Sequence, residues 1–269
     1  MKTIVITGAA SGIGMSTAKL FSENGWNVAA TMRNLEKANE FKEFRNINCY
    51  SMDVTNIQSI ETCFAQILQE YGKIDVIVNN AGIYETEPLE FTSHETIDKL
   101  IKTNVHGTLY VTKAILSHFR KNKMGVIVNV SSIAGRVTFP YQSVYHASKW
   151  AIEGLSEGLN YELKPLNIKV KIVEPGMVKT NLYDSITEKS FEKYPVDYAK
   201  NFKNWHTYLI GNFKKGYNPN FDALTIYRAV NDNTDKFRYV TDSNTKLVFL
   251  LRGLFSLSTF QNIVRKQIK

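Results

Sequence analysis

Tyr145 and Lys149 stand one helical turn apart in the sequence, and together they could carry out acid–base chemistry. A tyrosine hydroxyl, with a pKa of about 10 in water, is a poor acid–base group at neutral pH. A lysine ammonium beside it favours the tyrosinate and would lower that pKa toward the working range. The pair therefore predicts a group that exchanges a proton with an oxygen atom of a substrate.

The spacing of this pair is weak evidence alone, because a chain with 14 tyrosines contains such a pair about once by chance. Its support comes from polar sequences that follow three apolar runs, at residues 79–82, 131–132 and 175–180. Such runs are typical of buried parallel strands, whose carboxyl ends lie at the sheet edge that binds the ligand. Ser132 at that edge could hydrogen-bond the substrate oxygen and stabilise its developing charge.

A glycine-rich turn at residues 7–14 joins the first apolar run to an amphipathic segment. Glycines let a pyrophosphate approach the start of a helix, where unpaired N–H groups and the helix dipole favour negative charge. Glycine turns also join strands to helices for structural reasons alone, but the strand–turn–helix order favours a phosphate site. The residues expected to bind a dinucleotide cofactor here are Thr7, Gly8, Ser11, Gly12, Ile13 and Gly14.

The second apolar run ends at Met32 and Arg33, where a dinucleotide-binding sheet faces the adenosine ribose. A carboxylate at this place would accept the 2′-hydroxyl of NAD and repel a 2′-phosphate. The sequence has no carboxylate there, and Arg33 can bind a phosphate through charge-assisted hydrogen bonds. The sequence therefore favours NADP(H) over NAD(H), with a merely solvated Arg33 as the alternative.

Short runs rich in β-branched residues alternate with longer amphipathic segments through the first 180 residues. This alternation predicts a single α/β domain over residues 1–269, a doubly wound parallel sheet of the Rossmann type with helices on both faces. Strands are predicted at residues 3–6, 28–31, 49–52, 76–78, 126–130 and 170–173. Helices are predicted at residues 12–23, 57–71, 96–119 and 143–163.

Two later segments differ in composition from the rest of the chain. Residues 183–227 contain 11 aromatic side chains in 45 positions, typical of a packed helical pair or of an apolar substrate pocket. We expect this segment to form a helical substrate lid, with Arg136, Val137, Phe139 and Tyr141 also bordering the pocket. Residues 246–269 are apolar and basic and predict a helical tail that packs on the domain, borders the lid or contacts a membrane surface.

The ordered set of motifs resembles the short-chain dehydrogenase/reductase family over about residues 1–180. The matching sequences are T-G-x3-G-I-G at 7–14, Asp53-Val54, N-N-A-G at 79–82, N-V-x-G at 104–107, Ser132, Y-x3-K at 145–149 and P-G-x-V-x-T at 175–180. The sequence A-T-M-R-N at 30–34 is further similar to the branch that acts on steroids and retinoids. Many NADP-preferring members carry a basic residue where this chain has Ser11, so Arg33 would carry the preference alone.

The resemblance implies a role for each matching residue. Catalysis would depend on Asn104, Ser132, Tyr145 and Lys149, with Asn104 positioning a water in a proton relay and Lys149 also holding the nicotinamide ribose. Asp53 and Val54 would lie against the adenine. The other residues implied to line the cofactor are Asn79, Asn80, Ala81, Gly82, Pro175, Gly176, Val178 and Thr180. Family members usually pair through two long helices, which implies a homodimer or homotetramer.

The composition is ordinary for a soluble globular protein, with 43% hydrophobic and 22% charged residues. It argues against a disordered chain or a disulfide scaffold, and Cys49 and Cys63 are expected to be reduced thiols in the cytoplasm. The net charge of +8 suits a phosphate-bearing cofactor, whereas no basic block typical of nucleic-acid binding occurs. The 5 histidines lack metal-ligand spacing, and no apolar run of about 18 residues occurs, so neither a metal site nor a spanning helix is expected.

Two hypotheses from different classes follow. The first is an oxidoreductase that transfers hydride between NADP(H) and a carbonyl or secondary alcohol, with Tyr145 as general acid–base. Its substrate would be an apolar small molecule such as a steroid, a retinoid, or a lipid aldehyde or ketone. The second is an NADP(H)-binding regulator that senses redox state without turnover. The intact set of reacting residues favours the enzyme.

Overall fold

The computed structural model describes residues 1–186 and 190–266. Its strands are β1 (Thr3–Thr7), β2 (Asn27–Met32), β3 (Ile47–Ser51), β4 (Val76–Asn79), β5 (Gly125–Val130), β6 (Ile168–Glu174) and β7 (Arg238–Val240). Its α-helices are α1 (Gly12–Glu23), α2 (Ile57–Tyr71), α3 (His94–Ile101), α4 (Gly107–Asn122), α5 (Ser143–Leu163), α6 (Val196–Lys214), α7 (Asn220–Asn231), α8 (Ser243–Leu254) and α9 (Leu257–Arg265). Within the described residues, the strands form one parallel sheet in the order β3-β2-β1-β4-β5-β6-β7. The predicted doubly wound α/β fold is confirmed.

Strand β1 shows how both faces of this sheet are covered. All of its residues are buried, with Ile4 and Ile6 in one apolar cluster and Val5 in another, because successive side chains point to opposite faces. Phe21 of α1 packs in the first cluster and Phe119 of α4 in the second. A sheet buried on both faces needs apolar side chains at almost every strand position, which explains the continuous apolar runs in the sequence.

The strand order reverses between β1 and β4. Strand β1 leads through α1 to β2 on one side, whereas β4 pairs with β1 on the other side, with Ile4 beside Val76 and Ile6 beside Val78. Because the connections after these two neighbouring strands run in opposite directions, a crevice opens between them at the carboxyl edge of the sheet. This crevice is the place where the fold itself favours a ligand.

Two elements differ from the predictions. The helix predicted at residues 96–119 is interrupted, since α3 passes into a π-helical turn, Lys102–His106, before α4 begins. Such a turn widens the helix by one residue and often occurs at functional sites, and this one contains Asn104. Strand β7 is absent from the predicted strands because a run of 3 residues is too short to show a strand periodicity.

The two compositionally distinct segments are helical where the structure describes them. Residues 183–227 include the end of a 3₁₀ turn, Asn181–Ile186, then α6 and most of α7, and residues 187–189 of the expected lid lie outside the described residues. The tail forms α8 and α9, with residues 267–269 outside the described part. In that described part, no helix is both long and apolar enough to cross a membrane.

Candidate active site

A cavity of about 440 Å³ lies at the carboxyl edge of the sheet and includes the crevice between the loops after β1 and β4. Most of the site residues predicted from the sequence line it: Gly8, Ser11, Gly12, Ile13, Arg33, Asp53, Val54, Asn80, Ala81, Gly82, Ser132, Lys149, Pro175, Gly176, Val178 and Thr180. The other five, Thr7, Gly14, Asn79, Asn104 and Tyr145, are outside the lining that the structure describes. Each of them contacts residues of the lining or their neighbours.

The glycine turn forms one wall of the cavity. Gly8 and Gly12 have φ angles of +66° and +55°, in the left-handed region that side chains other than glycine rarely adopt. A Cβ atom on Gly8 would lie 2.8 Å from the Cα atom of Ala81, so the two loops approach more closely than a side chain permits. Helix α1 begins at Gly12, and its first turn, which the structure describes in full, contains no acidic residue. The wall therefore presents the positive end of a helix dipole to an anion.

Thr7 and Asn80 tie the glycine turn to the loop after β4. The Thr7 hydroxyl oxygen accepts hydrogen bonds from the backbone N–H groups of Asn80 and Ala81, each at 3.0 Å. The Asn80 side-chain amide donates to the carbonyl oxygens of Thr7 at 2.9 Å and Gly8 at 3.2 Å. A Cβ atom on Gly14 would lie 2.5 Å from the Gly8 carbonyl oxygen. Thr7 and Gly14 thus shape the wall without lining it.

Two basic side chains border the cavity after β2. Arg33 lies there as predicted, and Lys37 joins it from a 3₁₀ helix, Leu35–Phe41. Lys37 was not among the predicted site residues, because nothing in its spacing from Arg33, which precedes the 3₁₀ helix, distinguishes it from other surface lysines. Asp53 lines the same region, and its carboxylate accepts hydrogen bonds from the N–H group of Thr55 at 2.9 Å and from its hydroxyl at 2.8 Å.

Ser132, Tyr145 and Lys149 lie together beside β5, on the other side of β1 from Arg33 in the sheet order. The Tyr145 hydroxyl is hydrogen-bonded to Ser132. The Lys149 ammonium donates to the carbonyl oxygen of Val130 at 3.0 Å and lies 5.9 Å from the centroid of the Tyr145 ring. Helix α5 positions Tyr145 and Lys149 on one face because they are four residues apart.

Burial shifts the acid–base properties of this pair in opposite directions. Burial raises the pKa of the Tyr145 hydroxyl to about 12, and the hydrogen bond with Ser132 offsets only part of this increase. Burial lowers the pKa of the Lys149 ammonium to about 8, against the attraction of Glu153. The pKa of Tyr145 therefore moves opposite to the expected direction, because loss of solvation dominates.

Asn104 connects the loop after β4 to α5 from its place in the π-helical turn. Its side-chain oxygen accepts from the N–H group of Ile83 at 2.8 Å, and its amide donates to the Ile83 carbonyl oxygen at 3.0 Å and to the Ser148 hydroxyl at 3.1 Å. The Ser148 hydroxyl in turn donates to the carbonyl oxygen of Tyr145 at 2.7 Å. Asn104 thus holds the helix that carries Tyr145, and its role in a proton relay stays a prediction.

The side chain of Asn79 does not face the cavity, contrary to the expectation that it lines the cofactor. Its amide donates to the Thr112 hydroxyl at 2.9 Å and to the Asn129 side-chain oxygen at 2.8 Å, in the buried layer beneath α4. The side chains of neighbouring residues in an extended segment point to opposite sides. The side chain of Asn80 therefore reaches the glycine turn, whereas that of Asn79 points into the core.

Aromatic side chains cover Tyr145 and close that part of the site. The Tyr84 ring meets the Tyr145 ring edge to face at 4.7 Å and the Tyr183 ring at 5.2 Å. The Tyr183 ring in turn stacks on Phe213 at a centroid distance of 3.4 Å. Tyr84 follows β4, whereas Tyr183 and Phe213 come from the predicted lid segment. Tyr84 was not among the predicted site residues, because an isolated tyrosine in a loop carries no periodic signal.

Four residues expected to border the substrate pocket are outside the cavity lining that the structure describes: Arg136, Val137, Phe139 and Tyr141. Phe139 and Tyr141 pack against the aromatic cluster around Tyr145. Arg136 instead pairs with Glu174 at 3.3 Å. Burial raises the pKa of Glu174 to about 7, and the charges of Arg136 and Arg238 act against this shift.

Several known proteins are similar to this chain in sequence and in fold. A family model for short chain dehydrogenases matches residues 2–190. The 3-ketodihydrosphingosine reductase of Bacteroides thetaiotaomicron is 35% identical over 255 residues, which cover 95% of this chain and 91% of that protein. A solved short-chain dehydrogenase from Streptomyces avermitilis is 30% identical, with a TM-score of 0.82 and 98% of each chain covered. The solved structure of ElxO with NADP bound is 31% identical, with a TM-score of 0.75, 91% of this chain and 99% of that chain covered.

The fit of the glycine turn against Ala81 is tested by Gly8→Ala, with Gly25→Ala as the matched control. Both glycines have positive φ, +66° and +77°, but only at Gly8 would the added Cβ meet another backbone. We expect Gly25→Ala to lower the free energy of unfolding by about 1–2 kcal/mol, the cost of the conformation alone. Gly8→Ala should lower the free energy of unfolding by at least about 1 kcal/mol more than Gly25→Ala, because the backbone at Ala81 must shift to make room for the added Cβ atom. Equal losses in denaturant unfolding would contradict a steric role for Gly8.

Proposed function

The chain belongs to the short-chain dehydrogenase family, and from this membership we propose that it transfers hydride between NADP(H) and a carbonyl or secondary alcohol of an apolar small molecule. The observation that carries the proposal is the order of groups around one cavity. Arg33 and Lys37 border it after β2, the glycine turn forms its middle wall, and Ser132 and Lys149 line it beside β5.

The cavity suits a nicotinamide dinucleotide. The glycine turn leaves space that side chains would fill, since a Cβ atom on Gly12 would lie 3.0 Å from Thr180. The positive end of α1 favours the pyrophosphate, and Arg33 and Lys37 would bind the 2′-phosphate of the adenosine ribose. Asp53 would lie near the adenine. The remaining proposed contacts are those of Asn80, Ala81, Gly82, Pro175, Gly176 and Val178.

When bound, the nicotinamide would supply or accept the hydride. In the reducing direction, Tyr145 donates its proton to the carbonyl oxygen, while the Ser132 hydroxyl hydrogen-bonds the same oxygen. The hydrogen bond between Tyr145 and Ser132 supports this assignment, because both hydroxyls can reach one atom. The raised pKa of Tyr145, about 12, keeps its proton in place at neutral pH, and a reduction needs this protonated form.

Lys149 would act when Tyr145 gives up its proton. The ammonium stabilises the tyrosinate that remains, and it can also hold the nicotinamide ribose from its position in the cavity lining. Asn104 would position a water that returns a proton to this pair. Its fixed place between Ile83 and Ser148 supports a positioning role of this kind.

The aromatic rings around Tyr145 support an apolar substrate. Tyr84, Tyr183 and Phe213 would have to move apart or turn for a substrate to reach the Tyr145 hydroxyl, and they would then line its path. Residues 183–227 would act as the lid in this step. A ketone or aldehyde on a lipid, steroid or retinoid fits such a wall, and one relative is named 3-ketodihydrosphingosine reductase.

The proposal extends to assembly and location. We place the pairing surface of a homodimer or homotetramer on α4 and α5, where Trp150 and Tyr161 of α5 are exposed. Such aromatic side chains are enriched at protein interfaces. The chain would work in the cytoplasm without a nucleic-acid partner.

The cofactor preference is tested with an Arg33→Ala/Lys37→Ala double variant. We expect the affinity for NADPH to fall about 100-fold, because two charge-assisted contacts to the 2′-phosphate are lost. The affinity for NADH should change by less than about threefold, since NADH lacks that phosphate. Nucleotide fluorescence titration measures both, and Lys42→Ala, which removes an exposed charge outside the cavity lining, is the control. Equal loss for both nucleotides would contradict the assigned role.

The role of Tyr145 is tested with Tyr145→Phe, which keeps the ring and removes the hydroxyl. Turnover of a ketone substrate should fall by about 10²–10⁴-fold because the general acid is lost, while the affinity for NADPH stays the same. Tyr71→Phe, at a tyrosine of α2 outside the cavity lining, should leave turnover unchanged. Full turnover by Tyr145→Phe would refute the mechanism. Tight NADPH binding by the wild type without turnover across a carbonyl panel would instead favour the redox-sensing regulator.

The pKa of Lys149 predicts a pH dependence for the reduction. Burial lowers this pKa to about 8, so the ammonium is present below pH 8 and is lost as the pH rises through that value. We expect kcat for ketone reduction to decline above pH about 8, because the tyrosinate loses its stabilising charge. Lys149→Arg keeps a cation at every pH of the assay, so its residual activity should show no such decline. A decline that persists in that variant would assign the titration to another group.

A further inference from the structure

The outward face of α8 is apolar along its length. Leu247, Leu250 and Leu254 are 52%, 57% and 69% exposed, and their i, i+3, i+7 spacing places them in one stripe, here called the leucine face. Thr245 and Phe249 lie on the opposite side of the same helix and contact the domain. Scattered surface leucines are normal, but a stripe of this kind on one helix is not explained by packing within the described chain.

Helix α9 continues this surface. Phe260 is buried, and the Arg252 guanidinium of α8 lies 5.9 Å from the centroid of its ring. Phe255, Leu257 and Ile263 are also exposed, and Leu257 and Ile263 lie three residues before and after Phe260, on the same face of α9. The apolar surface of the tail therefore combines the leucine face of α8 with the exposed rim of the α9 face that buries Phe260.

The charge of the tail favours an anionic lipid surface over a second copy of the chain as the partner of this surface. From residue 243 to residue 266 the sequence has four basic residues, Lys246, Arg252, Arg265 and Lys266, and no acidic one. In a two-fold contact with a second copy, equivalent surfaces meet, so these like charges would be brought together. An anionic lipid surface instead provides opposite charge for the basic residues and an apolar layer for the leucines.

The tail is fixed beside the active site. A Cβ atom on Gly176, a residue of the cavity lining, would lie 2.3 Å from the Thr245 hydroxyl oxygen and 2.5 Å from Asp242. The ring of Phe249 lies 4.2 Å below the guanidinium of Arg136, which follows β5 near Ser132. Both contacts are at the carboxyl edge of the sheet. A surface that binds the tail would therefore lie close to this edge.

We propose that α8 and α9 dock the protein on an anionic lipid membrane through the leucine face and its flanking basic residues. The docked orientation places the carboxyl edge of the sheet near the lipid, where an apolar substrate is dissolved. This consequence for substrate supply rests on the proposed function, whereas docking itself does not.

The test is co-sedimentation of the full chain with vesicles, without cofactor or substrate. The wild type should pellet with vesicles of phosphatidylcholine and phosphatidylserine and remain in the supernatant with phosphatidylcholine alone. Leu250→Glu/Leu254→Glu should reduce binding at least about tenfold, because two charges enter the apolar layer. Lys246→Gln should weaken binding by a smaller factor. The matched control is Leu89→Glu, because Leu89 is 57% exposed, like Leu250, but lies far from the tail in sequence.

Two results would overturn the docking proposal. One is failure of the wild type to pellet with anionic vesicles, and a changed lipid-free oligomeric mass in the leucine variant would then assign the leucine face to a second copy. The other is equal loss of binding in Leu89→Glu. Unchanged thermal unfolding midpoints verify that the variants fold. Vesicle binding by a protein that reduces no carbonyl would leave docking in place and refute only the proposed function.

Discussion

The close approach of two loops where the strand order reverses is the constraint on which the site depends. Gly8 can lie against Ala81 only because it has no side chain, and the hydrogen bonds of Thr7 and Asn80 maintain that contact. The same loop after β4 fixes Asn104 through Ile83, and Asn104 reaches Ser148, whose hydroxyl bonds the backbone of Tyr145. One chain of contacts therefore sets both the glycine wall of the cavity and the position of Tyr145.

Burial shifts both Tyr145 and Lys149 toward their uncharged forms, because removing either charge from water is unfavourable, although Lys149 keeps its ammonium below about pH 8. Proton transfer from Tyr145 to a substrate oxygen would leave a tyrosinate in the same buried place. The attraction between that anion and the Lys149 ammonium is strong where solvent is excluded. Burial therefore disfavours a tyrosinate at Tyr145 before proton transfer. It would also strengthen the attraction of Lys149 for the tyrosinate once it forms, and the aromatic rings that close the site exclude the solvent that would weaken this attraction.

The sequence predicted the parts of this molecule that depend on local pattern. The six strands from β1 to β6 contain short runs rich in apolar residues, and the glycine turn has the spacing that its left-handed residues require. Features set by tertiary environment were not predictable in the same way. The direction of Asn79, the pKa of Tyr145 and the covering of Tyr145 by Tyr84 depend on neighbours that are distant in sequence. The π-helical turn adds one residue within a segment that stays helical throughout, so the sequence predicts one helix where the structure has three consecutive helical pieces.

The last third of the chain does more than cover the site, because it holds the loop after β6 in place. Tyr217 pairs with that loop, donating its N–H to the Met177 carbonyl oxygen at 3.1 Å and accepting from the Lys179 N–H at 2.9 Å. Its hydroxyl accepts from the N–H group of Gly176 at 2.9 Å and donates to Asp222 at 3.1 Å. The family match ends at residue 190, whereas these supports lie beyond it. The cavity thus depends on a segment beyond the family match, because Tyr217 and Asp222 help to hold the loop that carries Gly176.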